Sequence, residues 1–145
     1  MPKYSVNQYP VSSILTWIQD GEIAVPEIQR PFVWSTAQVR DLIDSLYRGY
    51  PIGYIITWKN PDVRLKDGSR AVGKKVVIDG QQRIIAMRAA LLGLPVVTKE
   101  YKEERIYIAF HPVKEEFATL TPAIEKDPSW ISDISTIVSK ETGLF

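Results

Sequence analysis

"VVIDGQQR", residues 76–83, sets three β-branched residues directly before Asp79, Gly80, two glutamines and Arg83. A β-branched run favours a strand, and the polar cluster falls where a chain turns from strand into helix. Beyond it, "QQRIIAMRAALLGL" is rich in strong helix formers, with Ile84, Met87 and Leu91 on one face. Ile85 and Leu92 widen that face, which predicts a well-buried helix. A β-turn-α unit is therefore the nucleus of the reading.

Working upstream, residues 60–73 are polar and contain glycine, which suits a loop or hairpin end, and "GYIITWK" before them reads as a strand. In "STAQVRDLIDSLYRGYP" Ser35 and Gln38 have capping-box spacing, and Val39, Leu42, Ile43 and Leu46 repeat at the helical period. Arg40 and Asp44 face outward at i,i+4, and Gly49 and Pro51 close the helix. "SSILTWIQDG" predicts a short helix capped by Ser12 or Ser13 and stopped by Gly21. Downstream, "RIYIAFHP" alternates as a strand does, and the remainder has no firm period. Interspersed strands and helices in one domain over residues 1–145 give an α+β class. "SWISDISTIVSK" reads as the start of another amphipathic helix, so the chain is expected to be the N-terminal fragment of a longer protein.

Composition narrows the chemistry. The 145 residues carry a net charge of +1, so a polyanion would have to be met by a local patch and not by a global field. The absence of cysteine removes disulfides and thiolate chemistry, and a single histidine, His111, removes a histidine-rich metal site. No apolar run approaches the roughly 20 residues of a membrane span, and "MPKYSVNQYP" lacks a signal-peptide core, so a cytoplasmic location without membrane contact is expected.

The turn at 79–83 has the parts of an anion site. A helix start offers unpaired N–H groups and partial positive charge, Gly80 lets a backbone or ligand come close, and the Arg83 fork suits phosphate oxygens. Gln81 and Gln82 can hold a phosphate, a base edge or a water. The plainer alternative makes Asp79 a helix cap or a partner for Arg83, and the glutamines surface residues. Two further segments carry polar groups on stiff backbone. "PEIQRPFVW", residues 26–34, sets Gln29 and Arg30 between prolines, either as an arm aimed at the pocket or as packed chain with Arg30 in solvent. "YPIGY", residues 50–54, fits a tight helix-to-strand turn and can also present backbone N–H groups.

Taken together, "IQRPFVW", "SLYRGYPIGYIITW" and "VIDGQQRIIAM" resemble the ParB/sulfiredoxin-like N-terminal domain of GmrSD-type modification-dependent restriction and phage-defence proteins. Three motifs in order across residues 25–92 carry the resemblance, and "KDPSWIS" extends it over most of the chain. The resemblance implies a small sheet flanked by helices and a nucleoside-triphosphate-binding and hydrolysing domain that controls a nuclease elsewhere in the protein. It implies catalytic roles for Asp79, Gln81, Gln82 and Arg83, and nucleotide contacts from Gln29, Arg30, Pro51, Ile52, Gly53 and Gly80. Ile28 stands where family members often have an aromatic residue. With no protein-only metal cage in view, Mg²⁺ is expected to arrive with the nucleotide.

DNA is an expected partner of the full-length protein, and self-association stays open. The alternative function is a non-catalytic DNA-binding or modification-sensing module, with Lys59, Arg64, Lys66, Arg70, Lys74 and Lys75 as a basic edge or simply a solvated face. Direct cleavage by this domain lacks the carboxylate or histidine cluster a two-metal centre needs. His111 reads as structural; Trp17, Trp58 and Trp130 read as packing residues, while Trp34 sits nearer the pocket segment.

Overall fold

The β-turn-α unit stands at the centre of a computed structural model that describes residues 6–25, 31–59 and 74–140. Strand β3 (Lys75–Asp79) is the middle of a three-stranded sheet. It is flanked by β1 (Ile23–Ala24), which runs parallel to it, and β2 (Ile56–Trp58), which runs antiparallel with an irregular register between Ile56 and Thr57. Asp79 ends β3, Gly80 bends the chain, and α3 (Gln81–Leu91) begins at once.

Beyond its polar first turn, helix α3 buries Ile84, Ile85, Ala86, Met87, Ala89, Ala90 and Leu91, as its sequence predicts. Such a helix has to be enclosed, and two clusters enclose it. On one side Leu15, Phe32, Val39, Leu42, Ile43 and Ile108 pack against its Met87 and Leu91. On the other, Ile18, Ile23, Val25 and Val77 close over Ile84 beneath the sheet. Each fully buried aliphatic side chain contributes about 1.5–3 kcal/mol, so α3 is the best-anchored element near the turn.

Helix α2 (Thr36–Arg48) has the reciprocal capping box its sequence calls for: the Gln38 amide donates to Ser35 Oγ (3.2 Å) and the Ser35 amide to Gln38 Oε1 (2.8 Å). It ends at Gly49 in the left-handed region, φ 74°. The expected Arg40–Asp44 pairing gives way to two other pairs, Arg40 with Asp41 and Arg48 with Asp44, each 2.9 Å. In the second, the arginine lies near the negative end of the helix, where a cation is favoured.

Helix α1 (Val11–Gln19) starts earlier than its serines suggest. Pro10 occupies the cap position with no side-chain cap, and Ser12 and Ser13 fall inside the first turn. Proline, already fixed near φ −65°, sets the entry instead.

The last third holds two small hairpins, β4 (Val96–Val97) with β5 (Glu103–Glu104) and β6 (Ile108–His111) with β7 (Glu116–Thr119). Short helices α4 (Pro122–Lys126) and α5 (Ser135–Lys140) follow. Strand β7 and helix α4 have no sequence period, yet α4 had a readable start: Thr121 caps the Ile124 amide and Pro122 sits at the first helical position. His111 is structural, buried, with Nδ1 accepting from the Lys114 amide (3.1 Å) and its ring edge-on to Trp130. Trp17, Trp34 and Trp130 are half-buried, whereas Trp58 is exposed. The architecture is α+β, and among the described residues no helix is long and apolar enough to cross a membrane.

Candidate functional site

The polar turn is held by two remote segments. Gly80 has φ 89°, a conformation that L side chains resist, and it marks the start of α3 without a side-chain cap. Asp79 does not cap the helix: its Oδ1 accepts from the Gly80 amide (3.0 Å), one residue short of the first turn. Nor does it pair with Arg83, and among the described residues no ion pair includes the exposed Asp79 carboxylate. The α3 start therefore keeps the electropositive character of an uncapped helix end, with a carboxylate beside it.

Gln81 and Gln82 are half-buried and engaged, not surface residues. Gln81 Nε2 donates to the Val77 carbonyl (2.9 Å), and among the described residues no donor reaches its Oε1. Gln82 uses both amide atoms: Oε1 accepts from the Val33 amide (3.0 Å) and Nε2 donates to the Pro31 carbonyl (3.3 Å). The glutamine thus acts as one rung of a ladder for the segment that follows Arg30. Gln29 and Arg30 themselves, with Ile28, lie outside the described residues.

Arg83 gathers the third segment. Its Nη2 donates to the Tyr54 carbonyl (2.5 Å), while its Nε is buried and finds no acceptor among the described residues. The guanidinium lies between two glycines with positive φ: a Cβ at Gly53 would come 3.3 Å from Nη1, and one at Gly80 would come 3.2 Å from Nη2 and 3.1 Å from the Ile55 side chain. Glycine at 80 is thus required by its protein neighbours as well as by its dihedral angle. In the turn after α2, Ile52 packs against the core, Pro51 and Gly53 are exposed, and Tyr54 projects its ring into solvent. The three motifs that are separate in sequence are one cluster in space at residues 31–33, 51–55 and 79–83.

Sequence reasoning could not find the partners Pro31, Val33 and Tyr54, because they contribute backbone atoms, which any residue carries. Of the basic edge, Lys59, Lys74 and Lys75 are described; Arg64, Lys66 and Arg70 lie outside the described residues. No group of three or more metal-binding side chains occurs among the described residues.

Fold and cluster together define a small α+β domain whose polar strand-to-helix turn is buttressed by two distant loops. A family model described as "GmrSD restriction endonuclease, N-terminal domain" matches residues 11–143, and the chain belongs to that family. It is accordingly a domain of a restriction system. No curated protein matches the sequence.

Proposed function

We propose that this domain binds and hydrolyses a nucleoside triphosphate at the 79–83 turn and so regulates the restriction activity of the protein it belongs to, on a ParB-like scaffold. The observation that carries the reading is the convergence of all three motif segments on an uncapped helix start, where Arg83 keeps a buried N–H that finds no acceptor among the described residues. An unsatisfied cationic donor at a helix N-terminus is relieved by an anion, and phosphate is the anion such ends take.

In this reading Gly80 and the first-turn amides line the phosphate path, with Arg83 supplying charge through the N–H groups not spent on Tyr54. Gln29 and Arg30, which precede in sequence the segment that Gln82 secures, are assigned nucleotide contacts, as are Pro51, Ile52 and Gly53 of the turn beside Arg83. Gln81, whose amide is tethered at one end only among the described residues, orients the attacking water; Gln82, wholly engaged by backbone, positions and does not react. The water oxygen bonds to the terminal phosphorus as the bridging P–O bond breaks, and the water proton leaves with the released phosphate. Such transfer depends on placement more than on a strong base.

A lone carboxylate fits a metal that brings other oxygens with it, so Asp79 is the residue here that meets a nucleotide-borne Mg²⁺. When bound, the ion offsets phosphate charge. The same exposed carboxylate weighs against the alternative of a DNA phosphate resting directly in this groove.

The test is thermal unfolding with a panel of nucleoside triphosphates, with and without Mg²⁺, followed by phosphate release. A ligand at 100 times its dissociation constant adds about 2.7 kcal/mol of stability. Gln81→Ala is expected to keep that shift while phosphate release falls about 100-fold. A wild-type domain that no nucleotide stabilises overturns the reading.

A further inference from the structure

Tyr54 joins the cluster through its backbone and keeps its ring out of it. Its carbonyl accepts from Arg83 Nη2 (2.5 Å), and the same guanidinium lies so close to Gly53 that a Cβ there would come 3.3 Å from Nη1. On the other side, Ile55 packs against the cluster around Val77 and Ile84, and a Cβ at Gly80 would come 3.4 Å from its α-carbon. The backbone at 54 is thus held from both sides. Its side chain is nevertheless 74% exposed. Other tyrosines are engaged: Tyr47 donates to Glu115 and packs on Phe110 and Phe117, Tyr9 meets Trp17 edge to face, and Tyr107 lies under the Arg105 guanidinium. Among the described residues the Tyr54 ring meets no other ring or cation, and its hydroxyl no hydrogen-bond partner. Ile56, two residues on and opposite Asp79 in the sheet, is exposed as well.

Apolar surface left in water beside a cation and a helix start suits a ligand that is anionic at one end and flat at the other. We propose that Tyr54 is the residue on which the base of the bound nucleotide stacks. Resting on the reading of the 79–83 turn as a triphosphate site, this gives each end of the ligand its place. The phosphates meet Arg83 and the first-turn amides. The ring leaves the same α-carbon as the carbonyl that Arg83 holds, and it lies against the base. A phenol ring offers its face to any base and leaves the hydrogen-bonding edge unread, so recognition at this position is by stacking and tolerates different bases.

The experiment measures, by calorimetry on the whole chain, the binding of the Mg²⁺ complexes of ATP, GTP, CTP and UTP and of inorganic triphosphate, which keeps the charge and lacks the base. The wild type is expected to hold at least one of the four nucleotides about fivefold or more tighter than inorganic triphosphate, the gain expected of one base on one aromatic ring. Tyr54→Ala, which leaves the carbonyl for Arg83, is expected to lose that gain and to bind inorganic triphosphate as the wild type does. Tyr54→Phe and Tyr54→Trp keep the face and are expected to keep the gain. Tyr50→Ala, which removes a ring 60% exposed in the same turn, is expected to keep it too. Should Tyr54→Ala melt early without ligand, Tyr54→Gln, which retains bulk without a ring, takes its place. Several results overturn the assignment of Tyr54 while leaving the triphosphate site standing: equal wild-type affinity for nucleotide and inorganic triphosphate, a gain that survives loss of the Tyr54 ring, equal weakening of both ligands, or the same loss from Tyr50→Ala. A wild type that binds none of the five overturns the triphosphate site and the stacking residue together.

Discussion

Gln82 occupies both atoms of its amide with the backbone at Pro31 and Val33, so the identity of each atom matters. In Gln82→Glu the atom facing the Pro31 carbonyl changes from donor to acceptor, and the expected loss is about 1–3 kcal/mol of unfolding free energy, read from urea titration. Gly80→Ala sets a Cβ against Ile55 and Arg83 at a positive φ, and is expected to cost about 1–2 kcal/mol or more by the same titration. What was legible at this scale was the kind of residue, not its partner. Asp79, Gln81, Gln82 and Arg83 stood out as polar groups where a strand meets a helix. That Gln82 reaches 49 positions back, and Arg83 29, depends on how the loops return, and a carbonyl leaves no mark in a sequence.

Among the elements, α2 was readable nearly to the residue because everything that defines it is local. Its capping box spans three positions and its stripe repeats every turn. Ser35→Ala removes one half of that box and is expected to lower stability by about 1 kcal/mol, with Ser35→Asp restoring most of it in thermal melts. Helix α3 was equally plain, since the wide apolar face of "IIAMRAALL" admits only a well-buried helix. The strands fared worse. Strand β2 was read within "GYIITWK" but is only three residues long, all exposed, and β4 and β5, two residues each, are too short for alternation to register. Strand β7 depends on pairing with β6 and on the stack of Tyr47, Phe110 and Phe117, which are far apart in the chain. The start of α1 was misjudged because serine is a strong cap signal and proline a quiet one.

For the molecule as a whole, two exposed groups contribute to its pH response in opposite directions. The Ser129 amide, donating to Asp127, holds that carboxyl below its ordinary range. The depressed value contributes stability that is present above the unfolded carboxyl's range and is lost as pH falls through the folded one. Tyr47 moves the other way, its phenol raised chiefly by the hydrogen bond it donates to Glu115 (2.6 Å). Its contribution is complete below the unfolded phenol's range near 10 and disappears as pH rises through the higher folded value. Asp127→Asn is thus expected to flatten the acid limb of a melting-temperature profile, and Tyr47→Phe the alkaline limb. The cluster at 31–33, 51–55 and 79–83 bears on the order of assembly. Its ties close long loops, and contacts of that separation form slowly because their entropy is lost before they are made. Helices α2 and α3 draw their hydrogen bonds from neighbouring residues, so their turns start to wind before the distant loops close. During refolding, helical ellipticity should recover ahead of the grip on the turn, leaving an interval in which the chain is wound but the proposed ligand site is not yet built.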